Sequence, residues 1–217
     1  RKESWDDLAE GFRIFIMGLS KKVLLANPCC RIADAVTGLS KAEPLAAWLG
    51  LLAYTMHIYF DFSGYSTMAI GLGRMLGLKM PENFNYPYIA RSITDFWHRW
   101  HITLSTFFRD YLYIPLGGNR VSVPRWLVNI FITWFATGLW HGAAVNFILW
   151  GLYYGVLLVL ERLVYGKYLK KAPYFVGWLY TFLLTMFGWL LFRCVDLSAI
   201  GIYLQSLFLP GGESIYS

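Results

Sequence analysis

The chain has 217 residues, 57% hydrophobic and 15% charged, where a soluble domain is roughly 45–50% apolar and about 25% charged. Its formal charge of +6 does not point to nucleic acid, because the basic residues are dispersed between apolar runs and build no long basic face. The apolar excess lies in stretches without Asp, Glu, Lys or Arg, at 44–60, 126–160 and 172–192. A bilayer-spanning helix needs about 20 mainly apolar residues. The third stretch fits one span and the second fits two short spans with a turn between them. The first fits one span, extended a little by its flanks. A soluble core rarely holds helices this long without a charge, so a membrane protein is expected. The 10 Trp and 15 Tyr often sit near the ends of these runs, as an interfacial aromatic belt would place them. Three cysteines, two of them adjacent, make no disulfide framework. The chain opens Arg1-Lys2-Glu3, without a signal peptide or an initiator Met. It is expected to be an interior piece of a longer protein, with 1–217 as a single membrane domain.

In chain order, 1–11 is polar and mixed in charge. Segment 12–28 is apolar but broken by Lys21 and Lys22, as a span end or an interfacial helix would be. Segment 29–43 reads as a loop and 44–62 as a span. Glycines 64, 71, 73 and 77 give 63–78 the small residues that allow close helix packing. Segment 79–125 mixes charges with many aromatic residues and suits amphipathic or re-entrant helices lying against the membrane domain. Spans follow at about 126–140, 146–160 and 174–192. Arg120 and Arg125 precede the first of these, and Arg162, Lys167, Lys170 and Lys171 follow the second. Two spans separate these basic clusters, so both belong on one side, the cytoplasmic one. The turn at Trp140-His141-Gly142 then points to the other side or into the membrane.

His141 stands near the middle of the charge-free stretch 126–160, and an ionisable residue inside a membrane run is a functional candidate. Desolvation is expected to hold it neutral, fit to accept a hydroxyl proton as a general base. A histidine bonded to a backbone carbonyl between helices is the plainer alternative. His98 and His101 would share a helical face at i and i+3. They form either a metal pair, with no further ligand close by in sequence, or one buried and one outward histidine. The stripe of Trp97, His101, Leu104 and Phe108 places His101 on the packed face. Asp95 stands four residues before Arg99, a favourable helical pair. Ser105, one turn after His101, is a minor nucleophile candidate without a Gly-x-Ser-x-Gly elbow. Asp61 either caps the glycine-rich segment or lines a cavity. Arg99 and Arg109 either attract a phosphate-bearing donor or act as topological charges.

Six motifs follow one another along the chain: Tyr59-Phe-Asp-Phe-Ser-Gly-Tyr65, Pro81-Glu-Asn-Phe-Asn-Tyr-Pro87, Asp95-Phe-Trp-His-Arg-Trp-His-Ile-Thr-Leu-Ser105, Phe108-Arg-Asp-Tyr111, Ile114-Pro-Leu-Gly-Gly-Asn-Arg120 and Gly138-Leu-Trp-His-Gly142. This series resembles the membrane-bound O-acyltransferase (MBOAT) family over nearly the whole chain, closest to its alginate O-acetyltransferase branch. The D-alanyl transferases of teichoic acid modification are a related branch. The resemblance implies an all-α, multi-pass transmembrane fold, a ring of helices around a tunnel. It implies that His141 is the family's near-invariant catalytic histidine and that His101 matches its second polar position. Trp140, Arg99, Asp61 and Ser105 are then expected around the substrates. No bound cofactor or metal is expected, with acetyl-CoA or another acyl thioester as co-substrate.

The function so implied is transfer of an acetyl group from a cytoplasmic thioester to hydroxyls of an exported polysaccharide, in the bacterial cytoplasmic membrane. The acceptor is either the polymer itself or a periplasmic relay protein. Family members run to several hundred residues, so helices are expected beyond both ends. A D-alanyl transferase and a non-enzymatic transporter of acyl groups or polymer, with the histidine as a proton relay, are the alternatives.

Overall fold

The computed structural model describes residues 4–211, so the opening Arg1-Lys2-Glu3 lies outside the described residues. Ten α-helices account for most of the described residues, which contain no strand beyond one isolated bridge between Phe84 and Trp100. The contacts divide the chain into two compact units, residues 4–83 with 198–211, and residues 84–197.

In the first unit, α1 (Trp5–Ser20) runs through a π-helical turn (Lys21–Ala26) into α2 (Asn27–Thr37). The chain stays helical through the lysines of 12–28, as a π-helical turn, with Lys22 paired to Asp61 and Lys21 donating to the Thr67 hydroxyl at 3.1 Å. One expectation is corrected here. Residues 29–37 of the expected loop are helical, the helix running on through Pro28 from the π-helical turn. The third helix, α3 (Pro44–Met75), is one continuous rod of 32 residues, so the expected span and the glycine-rich segment are a single element. At 1.5 Å per residue it is about 48 Å long, more than the roughly 30 Å hydrocarbon core. Its glycines work as expected: Gly64 and Gly71 press against the backbone of Gly18 and Gly11 on α1. Helix α10 (Leu197–Phe208) returns to α3, where the Tyr203 hydroxyl donates to the Ala47 carbonyl at 2.8 Å.

The second unit begins with short pieces, α4 (Ile93–Arg99) and α5 (Ile102–Phe108), then a π-helical turn (Arg109–Tyr113). This is the irregular, amphipathic segment expected at 79–125. Helices α6 (Val123–His141) and α7 (Val145–Leu160) form an antiparallel hairpin. A π-helical turn (Glu161–Tyr165) and α8 (Gly166–Lys171) lead to α9 (Tyr174–Arg193). The three expected spans match α6, α7 and α9 to within a few residues. Two helical stretches, Val145–Lys171 and Tyr174–Arg193, are long and apolar enough to cross a bilayer.

The lateral patterning of α6 is the reverse of a soluble helix. Trp126, Asn129, Thr133 and Thr137 are buried, while Val128, Ile132, Phe135 and Leu139 are exposed. On α9, Thr181 and Thr185 are buried while Phe175, Val176 and Leu179 face outward. Small and polar residues inside with apolar residues outside is the packing that lipid selects, because lipid offers apolar side chains a solvent.

Candidate functional site

His141 is the last residue of α6. The hydroxyls of Thr133 and Thr137 donate back to the carbonyls of Asn129 at 2.7 Å and Thr133 at 2.8 Å, so these two buried hydroxyls are satisfied within α6. Glycine brings α7 close: a Cβ on Gly138 would strike the Phe147 carbonyl, and one on Gly151 the Trp134 carbonyl. This close approach sets the Trp150 ring edge-on to His141, with centroids 4.9 Å apart. Phe192 of α9 stands edge-on from another side at 5.1 Å. The imidazole is therefore walled by aromatic rings from α7 and α9. Asn146, fully buried at the start of α7, fixes this corner by donating to the Phe192 carbonyl at 3.1 Å.

His101 arrives by a different route. Helix α4 stops at Arg99, Trp100 is extended, and His101 takes the left-handed conformation at φ 44°, ψ 56°. A non-glycine residue there costs on the order of 1–3 kcal/mol and persists only when its surroundings hold it. The Asn85 N–H donates to the Arg99 carbonyl at 2.9 Å, and Phe84 bridges to Trp100. The Trp100 ring stacks on Phe96 at 5.7 Å and lies 4.7 Å from Trp189. The two residues before His101 are thus clamped. His98 and His101 do not lie on one continuous helical face, which corrects the i, i+3 expectation. The expected packed position of His101 holds all the same, by way of the break.

The two imidazoles line one cavity of about 450 Å³, together with Trp97, Trp100, Ser105, Thr137 and Trp150. A second hollow of about 710 Å³ is lined by Arg91, Asp95, Glu161, Arg162, Lys167 and Lys170. Thr94, His98 and Arg162 border both, so they mark a neck between a charged hollow and the histidine cavity.

Of the expected site residues, the structure brings His101, His141 and Ser105 together, the Ser105 hydroxyl donating to the Trp100 carbonyl at 3.4 Å. Trp140 is 57% exposed and does not line the cavity, although its ring stands 4.9 Å from His141 and 6.2 Å from His101. Arg99 does not line it either: its Nε donates to Asp95 at 2.7 Å and its Nη1 to the Asn85 carbonyl at 3.3 Å. Asp61 belongs to the first unit, paired with Lys22. Glu161 escaped the sequence reading, and Arg162 was read only as a topological charge and His98 only as one of a histidine pair. A charge directly after an apolar run looks like the end of a span, and only the fold turns Glu161 inward. No group of three His, Cys, Asp or Glu among the described residues is placed to hold a metal ion.

The sequence model of the membrane-bound O-acyltransferase family matches residues 8–204. A probable alginate O-acetylase of Pseudomonas aeruginosa is 46% identical over 97% of this chain and 41% of its own length. A peptidoglycan O-acetyltransferase of Helicobacter pylori is 43% identical over 98% of this chain and 41% of its own. A teichoic acid D-alanyltransferase of Bacillus subtilis is 38% identical over 57% of this chain and 33% of its own. The chain therefore spans about two fifths of the length of the first two relatives.

Proposed function

This chain belongs to the membrane-bound O-acyltransferase family, and from that premise we propose that the protein transfers an acetyl group from a cytoplasmic thioester to hydroxyls of an exported polysaccharide. The observation that carries this reading is the meeting of His101 and His141, from separate elements, in one cavity walled by aromatic rings. His141 is the general base. As the acceptor oxygen attacks the thioester carbonyl, its proton passes to the His141 imidazole. The carbonyl oxygen becomes an oxyanion, which accepts a hydrogen bond from an imidazole N–H of His101. The intermediate then collapses, the carbon–sulfur bond breaks, and the thiolate takes the proton from His141. The aromatic walls favour this sequence because hydrogen bonds to a developing charge are stronger in surroundings of low polarity.

The donor is acetyl-CoA or another acyl thioester, used as a co-substrate rather than a resident cofactor. It reaches the histidines from the hollow lined by Arg162, Lys167 and Lys170, through the neck at His98. The protein works as a multi-pass protein of the bacterial cytoplasmic membrane. An alginate-like polymer is the first acceptor class, reached directly or through a periplasmic relay protein. Peptidoglycan is the second, on the strength of the 43% identical relative. The test is acetyl transfer from labelled thioester by the full-length protein and its His141→Ala variant in membranes. General-base assistance is worth about 10²–10⁴-fold, so turnover is expected to fall by that order while insertion is unchanged. Near-normal transfer by the variant would overturn the role of His141.

A further inference from the structure

We infer that Glu161 is a positioning residue: its buried carboxylate ties the end of α7 to the start of α4 and so sets where His101 stands in the cavity. The inference rests on the acyl-transfer reading of that cavity. Glu161 opens the π-helical turn after α7 and is 7% exposed. Its Oε2 accepts the Ile93 N–H at 2.8 Å. Its Oε1 accepts the Thr94 N–H at 3.2 Å and the Thr94 hydroxyl at 2.6 Å. A buried carboxylate is tolerated only when it is well bonded, and three donors meet that need here. The turn itself is tight, since a Cβ on Gly166 would strike the Glu161 carbonyl.

Helix α4 does not need this carboxylate in order to start. Ser92 already caps it, accepting the Asp95 N–H at 3.0 Å. What Glu161 adds is a lateral link. Helix α7 carries Trp150, which stands against His141, and α4 leads directly to His101. At seven residues α4 is a rod of about 10 Å. It is stiffened by the Arg99–Asp95 pair at 2.7 Å and by the Trp100 N–H donating to the Phe96 carbonyl at 2.9 Å. A shift at its first turn is therefore carried to the left-handed residue at its far end. Glu161 thus couples the element that backs one imidazole to the element that delivers the other.

The experiment compares wild type, Glu161→Gln, Glu161→Asp and Thr94→Val in the full-length protein. It reads kcat, donor KM, and the rate at which diethyl pyrocarbonate modifies His101, followed by mass spectrometry. Replacing one acceptor oxygen by an amide sets an N–H against an N–H. Misplacement of a reacting group by about 1 Å can cost 10²-fold, so Glu161→Gln is expected to lose kcat on that order with donor KM unchanged and an altered His101 modification rate. Glu161→Asp is expected to recover part of the loss. Should Glu161→Gln not insert, Thr94→Val, which keeps both backbone bonds, gives the same reading at smaller size. Normal kcat and normal His101 reactivity with only lowered thermal stability would make Glu161 a mere strap and overturn the inference. A raised donor KM at normal kcat would place the carboxylate in the charged hollow's binding role and overturn it too. If wild type transfers no acetyl group, the functional reading fails on its own, and the His101 modification rate still decides whether Glu161 positions that ring.

Discussion

The two histidines illustrate how differently a sequence announces a residue. His141 stands out because nothing charged surrounds it between 126 and 160, and its helix ends where the charge-free run suggested a turn. His101 was placed on the packed side by spacing, but the left-handed kink that delivers it was not legible. Nothing in Trp97-His-Arg-Trp-His101 forbids a continuous helix. The break is imposed from a distance, by the Asn85 bond to the Arg99 carbonyl and by Phe84 against Trp100. Arg99 is the opposite case: its pairing with Asp95 was legible from the i, i+4 spacing, and that pair takes the guanidinium away from any ligand. Two expectations follow. His101→Ala is expected to lower kcat by about 10²-fold, the usual scale for removing an oxyanion donor, measured as acetyl transfer under saturating donor. Arg99→Gln is expected to leave donor KM unchanged and to cost about 0.3–0.5 kcal/mol, as i, i+4 helical ion pairs do, seen as a small shift in the thermal melt.

At the scale of elements, periodicity and charge-free length were enough to find α6, α7 and α9, because hydrophobic length is what a span is made of. They were not enough for α2, whose Arg31 and Asp34 read as loop. Nor were they enough to show the partners of the lysine pair, Asp61 and Thr67, which stand on another helix. Pairing between helices is a property of the fold and leaves no local mark. The α6–α7 hairpin shows the opposite case, where glycine alone carries the signal. Gly151 lies against the Trp134 carbonyl and Gly138 against that of Phe147, so the hairpin has no room for a methyl group at either place. Gly151→Ala is expected to push α7 off α6 and to destabilise the protein by about 1–3 kcal/mol, the usual penalty of overpacking. Because Trp150 would move with it, acetyl transfer should fall further than the lowered melting temperature explains. Unchanged activity in a protein of unchanged melting temperature would show that the contact is slack.

For the molecule as a whole, the question is which end of the second unit faces the cytoplasm. Composition already required a membrane and dispersed its positive charge into two clusters, one before α6 and one after α7. The structure ties those clusters together physically. The Arg162 guanidinium lies over the Trp126 ring, 4.3 Å from its centroid, so the first turn of α6 and the end of α7 stand side by side. Arg91 extends the same end, reaching the Ala172 carbonyl at 3.3 Å. The His141–Gly142 turn is at the opposite end of the hairpin, one helix length away, about 28 Å for the 19 residues of α6. Basic ends stay in the cytoplasm, so donor and acceptor should approach the histidine cavity from opposite faces. A membrane-impermeant thiol reagent can test this on the full-length protein with Cys29, Cys30 and Cys194 changed to Ser. Lys170→Cys and Asn119→Cys are expected to react only when the reagent reaches the cytoplasmic face, and Ala143→Cys only from outside. Labelling of Ala143→Cys and Lys170→Cys from the same face would remove the two-sided access on which transfer to an exported polymer depends, whatever the histidines do.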